Sequence, residues 1–412
     1  MLQLVRNATV FAPEPLGAVS ILIAGDRVAW IGRDANEADA IARSLGPVGL
    51  LEEIDLAGRR VIPGLIDAHV HLTGGGGEAG AHTKVPPLTL SQFSRGGTTT
   101  VVALLGTDDL TRGTGELLAA VYGLRNEGLS AYCYTGGYHL PLRTLTGSAR
   151  GDIVYLDPVL GVGELAISDH RSSQPTLDEL LRVASEAHVA GLMTGKAGTV
   201  HLHMGDGVRG LELVRAALDQ SEIPARVFHP THVNRNRRLF QEACALTSRG
   251  VTIDVTAFPV EEGEDAYAAP EALRTYLDRG LPAERITISS DGGGCLPTFD
   301  SEGQVAHFDV GRPAALGEAL ADCLHRGIAL EAALPAFTSN VARVLRLARK
   351  GRLAAGADAD LAVLDAHGTI ESVMARGVWQ VREHRLLRRG AFERDATSSD
   401  DQPTIPATTK SD

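Results

Sequence analysis

The sequence predicts an α/β protein: a (β/α)8 TIM-like barrel with a small β-sandwich domain formed by both chain ends. Three observations predict it. Apolar runs of strand length recur eight times through the middle of the chain, and helical patterns separate most of them. Both chain ends read instead as short strands joined by turns.

Residues 1–58 are the first of these ends. AVSILIAGDRVAWIG places Gly25-Asp26 between two apolar runs, a hairpin pattern. Residues 59–346 then alternate. The strand candidates are VIPGLIDAHVHL, TTTVVALLG, LSAYCYTGG, LGVGELAISD, GTVHLHMGD, ARVFHPTH, VTIDVTA and RITISSDGG. Between them lie TGELLAAVYGLRNEG, LDELLRVASEAHVAG and GLELVRAALDQ, with apolar residues at helical spacing. Residues 347–393 return to the strand pattern in GADADLAVLDAHGTIESVMARGVWQVREHRLL, so the two ends are expected to pair. Residues 394–412, rich in Ser, Thr, Asp and Pro, are expected to be disordered.

Composition narrows the function classes. Of 412 residues, 44% are apolar, enough for a large core. The net charge of −12 argues against nucleic acid or an anionic membrane as a partner. A small anionic substrate stays open, since a few local arginines suffice to bind one. The four cysteines, Cys133, Cys244, Cys295 and Cys323, form no CxxC pair, so neither a disulfide framework nor a thiolate zinc site is indicated. The opening MLQLVRNATVFAPEP lacks the pattern of a secretory signal, and no apolar stretch reaches membrane-spanning length. A cytoplasmic location is expected.

Active sites of such barrels lie at the C-terminal ends of the strands. The first strand ends in His69 and His71, which at i and i+2 share one face. Later strand ends carry Glu164, His203, His232 and Asp291. Four imidazoles and two carboxylates at one end of one barrel point to metal ligation, and six ligands suffice for two ions sharing an acidified water. The donor set suits two Zn2+, with manganese, iron or cobalt also compatible. His201, two residues before His203, is a reserve ligand, while His139, His170, His188 and His229 read as ordinary histidines.

At these residues the chain resembles a known family. VIPGLIDAHVHL is similar to the opening barrel strand of the amidohydrolase superfamily, and GADADLAVLD to its returning β-domain. HLTGGGGEAG, LLGTD, TGGYHLPLRTLTGS, AISDHRSS, HMGD, PTHVNRN and ISSDGGG resemble the isoaspartyl (β-aspartyl) dipeptidases, in that order, over residues 60–300. The resemblance implies a metallo-dipeptidase that cleaves β-aspartyl dipeptides with a metal-bridging hydroxide. It puts His69 and His71 on one ion and His203 and His232 on the other. Asp291 touches the metal site and acts as general base, then acid. Tyr138 donates to the developing oxyanion. Glu78 meets the free α-amino group, Arg171 and Arg235 clamp the two carboxylates, and Thr107 lines the site. The resemblance also implies a homo-oligomer, of a number that nothing in the sequence fixes. Independently of the name, one carboxylate and two guanidinium groups complement an isoaspartyl dipeptide, which carries one ammonium and two carboxylates.

Two departures from the family pattern stand out. Its bridging ligand is usually a carboxylated lysine, in a GVKxAISDHR context, whereas this chain reads GVGELAISDHR and puts Glu164 there. Glutamate offers the same two-oxygen group, about three bonds nearer the backbone, and Lys196 is the nearest lysine. The extra residue, Gly163, is expected to form a β-bulge that re-aims the strand. Cys295 stands where the family usually has a serine that contacts a substrate carboxylate, and a thiol is the poorer donor. A cyclic-amide hydrolase, an N-acyl amino acid deacylase of the same superfamily and a non-catalytic scaffold remain as alternatives.

Overall fold

A computed structural model describes residues 2–46, 49–299 and 305–393. Residues 394–412, expected from composition to be disordered, lie outside the described residues. Five strands open the chain: β1 (Leu2–Phe11), β2 (Pro15–Ala24), β3 (Arg27–Gly32), β4 (Leu51–Asp55) and β5 (Arg60–Pro63). The eight barrel strands follow as β6 (Leu65–Val70), β7 (Thr98–Ala103), β8 (Ser130–Thr135), β9 (Val159–Ile167), β10 (Thr199–Met204), β11 (Phe228–Thr231), β12 (Ile253–Thr256) and β13 (Ile286–Ser289). An antiparallel hairpin, β14 (Cys295–Phe299) and β15 (Val305–Val310), comes next. The chain ends in β16 (Leu361–Leu364), β17 (Ile370–Ala375), β18 (Val378–Arg382) and β19 (Arg385–Leu386).

The two chain ends form one nine-stranded sheet, ordered β19-β18-β17-β16-β5-β1-β2-β3 with β4 beside β1. Val10, Ile21 and Val61 from one end and Leu361, Val363 and Met374 from the other are buried in a single apolar cluster. VIPGLIDAHVHL therefore divides between two sheets. Residues 60–63 pair antiparallel with residues 361–364, while β6 starts the barrel. The break falls at Pro63-Gly64. Pro63 has no N–H to offer, and a Cβ on Gly64 would lie 2.2 Å from the Thr99 hydroxyl.

In the barrel, β6 to β11 form one parallel sheet and β12 pairs parallel with β13. Closure comes from Val233 N donating to Asp254 O (3.3 Å) and His71 N donating to Gly292 O (2.8 Å). Most strands are buried on both faces, as their near-continuous apolar runs require. Helices Thr114–Glu127, Leu177–Thr194 and Glu212–Gln220 cover the outside where helical spacing was read. Thr176 and Glu179 cap the second of these reciprocally. No helix among the described residues is long and apolar enough to cross a membrane.

Strand β9 carries the expected bulge. Its pairing with β10 runs Val200↔Val162 and then Leu202↔Leu165, so β9 spends one extra residue opposite His201. The Gly163–Glu164 peptide is cis. Only glycine fits at 163: a Cβ there would lie 2.8 Å from the His201 Cβ and 3.3 Å from Tyr134 Cδ2. Gly163→Ala is expected to cost about 1–3 kcal/mol of stability through overpacking. Thermal unfolding at equal protein concentration should show a lower Tm, and an unchanged Tm would refute the close approach.

Candidate metal centre

The C-terminal ends of β6, β9, β10, β11 and β13 bring the six candidate ligands into one buried cluster. His69, His71, Glu164, His203, His232 and Asp291 are each at most 6% exposed. Three overlapping triads emerge: His69, His71 and Glu164; Glu164, His203 and His232; His69, His232 and Asp291. Within each, one ligand atom per residue lies within 4.8 Å of the others. Glu164 sits between two groups of imidazoles. Its Oε1 is 3.4 Å from His71 Nε2, and its Oε2 is 3.1 Å from His203 Nδ1, 3.5 Å from His232 Nε2 and 3.6 Å from His69 Nε2. Asp291 Oδ1 lies 3.1 Å from His71 Nε2 and 3.4 Å from His69 Nε2. His232 and Asp291 both adopt left-handed backbone, φ 60° and 54°, a conformation that non-glycine residues hold mainly where the surroundings impose it.

The electrostatics of the cluster call for cations. Burial opposes charge on His69, yet Glu164 and Asp291 raise its pKa well above the usual imidazole value. Burial also opposes charge on Glu164, but His69 and His203 hold its carboxyl well below the usual range. Asp291 is lowered in the same way, against burial, by His69. Burial takes His232 down to about 4. Two carboxylates are thus ionised in a dry site. Glu164 Oε1 and Asp291 Oδ1 are buried and accept no well-formed hydrogen bond. Imidazole nitrogens beside orphaned carboxylate oxygens fit divalent transition metals, whose charge would take the place of the proton that Glu164 and Asp291 draw onto His69.

The remaining candidates divide. Tyr138 OH reaches the cluster, 2.8 Å from His203 Nδ1. Burial first, then Glu164, pushes its phenol well above 10, which keeps the proton on. Thr107 Oγ1 donates to Glu78 Oε1 (3.0 Å), and Arg171 Nη1 approaches the same oxygen at 3.4 Å. Glu78 Oε2 is buried without a partner. Cys295 packs against the glycine loop, its Cβ 3.4 Å from where a Cβ on Gly76 would sit. Burial, then Glu78, pushes its thiol up to about 11, so it stays protonated.

Both arginines expected to clamp substrate carboxylates are paired with a carboxylate of the protein itself. Arg171 is held by Asp169 through Nε (3.0 Å) and Nη2 (2.8 Å), since a buried guanidinium needs a counter-charge. Arg235 is tied to Asp206 (3.0 and 2.8 Å) and to the Met204 carbonyl at the end of β10 (2.7 Å). Lys196 points away, donating to the Ile153 and Leu156 carbonyls at 2.6 Å.

Two site residues were not singled out from the sequence. Asp169 Oδ2 also meets His203 Nε2 at 3.1 Å, linking Arg171 to the cluster; its place two residues before Arg171 in AISDHR was the available clue. Asp67 accepts from the His69 (3.3 Å) and Ser290 (3.1 Å) backbone amides and so fastens β6 to β13. Burial pushes its carboxyl up to about 7. His201, the reserve ligand, lies behind His69 and outside all three triads, its Nε2 2.9 Å from His69 Nδ1.

Comparison with known proteins agrees with this geometry. The model of the amidohydrolase family matches residues 60–380. The β-aspartyl dipeptidase of Fervidobacterium islandicum AW-1, solved in complex with a β-Asp-Leu dipeptide, superposes with a TM-score of 0.87 at 40% identity, covering 94% of this chain and 97% of that one. The dihydropyrimidinase of Brevibacillus agri NCHU1002 shares the fold (TM-score 0.61, 17% identity, 95% and 97% covered). The imidazolonepropionase of Mycolicibacterium smegmatis is 26% identical over 94% of this chain and 95% of its own. The family match over most of the chain, and the 40% identity along nearly all of it, establish this protein as a hydrolase of the amidohydrolase family that groups with its β-aspartyl dipeptidases.

Proposed function

We propose that the protein hydrolyses β-aspartyl dipeptides with two divalent ions, zinc being well suited to the donor set. One observation carries the reading. Glu78 presents a buried, unpartnered carboxylate oxygen, with the Arg171 guanidinium 3.4 Å from its other oxygen, in the pocket where Arg171 Nη2 also comes within 3.4 Å of His203. A negative and a positive group side by side at an amide-cleaving centre suit a substrate with an ammonium and a carboxylate around its amide. The relative at 40% identity was solved with β-Asp-Leu.

His69 and His71 would hold one ion and His203 and His232 the other, with Glu164 between them. Bound there, the ions would acidify a water and polarise the scissile carbonyl. Asp291 takes a proton from that water and returns it to the leaving amine. Tyr138 donates a hydrogen bond from its phenol O–H to the carbonyl oxygen as negative charge develops and keeps its proton. Glu78 receives the α-ammonium, Arg171 and Arg235 the two carboxylates, and Thr107 fixes the Glu78 rotamer. The Cys295 thiol, a weak donor where the family has a hydroxyl, loosens one carboxylate contact.

Ring opening of a cyclic amide is the second reading, favoured by the imidazolonepropionases among the curated relatives. The test is release of free aspartate from β-Asp-Leu, set against α-Asp-Leu and a dihydropyrimidine. Turnover of the β-linked peptide alone supports the proposal; turnover of only the ring overturns it. Glu78→Gln is expected to lose about 10–100-fold in kcat/KM for β-Asp-Leu, mostly in KM, the scale of one charged hydrogen bond.

A further inference from the structure

We propose that Asp254, Thr287, His229 and His201 form a directional hydrogen-bond relay that keeps the proton of His69 on Nδ1 and turns its Nε2 lone pair to the metal centre. The inference rests on His69 being a ligand, as read above.

The relay crosses the barrel interior. His69 Nδ1 lies 2.9 Å from His201 Nε2, and His201 Nδ1 lies 3.0 Å from His229 Nδ1. His229 Nε2 lies 3.1 Å from Thr287 Oγ1, and Thr287 donates to Asp254 Oδ1 at 2.5 Å. All five residues are fully buried, and His201 and His229 are register partners on β10 and β11.

Donor counting fixes the direction. A carboxylate only accepts. Asp254 takes hydroxyl protons from Thr287, from Thr231 (2.7 Å) and from Ser289 (2.5 Å). The other acceptor within reach of Thr287 is the Ile253 carbonyl, at 3.3 Å. Either way the Thr287 proton is committed, and its oxygen can only accept from His229. His229 therefore carries its proton on Nε2. Burial pulls its pKa down, so the ring is neutral and Nδ1 is bare. That bare nitrogen accepts from His201 Nδ1–H. His201 Nε2 is then bare and accepts from His69 Nδ1–H. A reversed link anywhere would set two N–H groups, or two lone pairs, face to face at about hydrogen-bond distance in a dry interior.

The surroundings hold the relay in plane. Tyr134 stacks on His201 with ring centroids 5.1 Å apart and planes 12° from parallel. Gly163 leaves the room that a side chain would take from the His201 Cβ and the Tyr134 ring. Asp254, Thr287, His229 and His201 are positioning residues: none belongs to the ligand triads, and they act through His69.

Two measurements test the relay. Neutron diffraction from deuterium-exchanged, zinc-soaked crystals reads the tautomers directly, with no substitution. The expected result is deuterium on Nδ1 of His69, Nδ1 of His201 and Nε2 of His229; deuterium on Nδ1 of His229 would overturn the relay. Chelator competition on stripped protein reads zinc affinity. Thr287→Val should weaken it by about 10-fold, the low end for ligand-orienting contacts, with Thr287→Ser within about twofold of wild type. Equal affinity for Thr287→Val and wild type would also overturn it. Wild-type protein that binds no zinc yet shows the stated tautomers would refute the metal reading and spare the hydrogen-bond direction.

Discussion

Glu164→Gln is expected to lower kcat/KM for β-Asp-Leu by at least about 10^3-fold, several kcal/mol at 1.36 per decade. The change is isosteric, so the bulge, the packing and the approach of His71, His203 and His232 should survive. What is lost is the anion. A neutral amide offers one weak oxygen donor where the carboxylate presents two, one toward His71 and one toward His203 and His232. Metal analysis after gel filtration should show clearly less bound metal than wild type. Without metal, the variant should be less stable than wild type near neutral pH, because His69 and His203, which hold the Glu164 carboxyl in its charged form, lose their buried counter-charge. A variant that keeps full metal and activity would exclude Glu164 from the centre.

Asp291→Asn should lower kcat by about 10^2–10^4-fold, the range for a lost general acid–base, with KM changing little. Asn keeps the left-handed backbone accessible, since Asn and Asp tolerate φ near 54° better than most residues. Folding should therefore be preserved, and circular dichroism with zinc content can verify it. Steady-state kinetics on β-Asp-Leu decides the matter: a fall confined to KM would assign Asp291 to substrate binding instead.

Much of this was legible in the sequence because its physics is local. Alternating apolar runs mark barrel strands, and all eight are present. His69 and His71 could be paired because i and i+2 share a face. The same rule misleads four strands further on, at β10. His201 and His203 also share a face, but successive same-face residues lie roughly 7 Å apart along a strand. His203 reaches the cluster, whereas His201 sits deeper in the barrel behind His69. Asp169 was missed for a different reason. Its contacts with Arg171 and His203 depend on the turn that follows β9, and no periodicity encodes that turn. The division of the first long run at Gly64 depends on Thr99, a residue distant in sequence.

The sheet built from both chain ends has a consequence for synthesis. Strand β5 leads directly into β6 and its histidines, and its antiparallel partner is β16. On the ribosome, β5 therefore waits with an open edge until almost the whole barrel has emerged. The strand that leads into the first ligands is paired on one side by β1 from the start, and its second edge is closed last. A transcript cut short before residue 361 would encode every proposed ligand and still deliver a chain in which the strand feeding His69 and His71 has one edge uncovered.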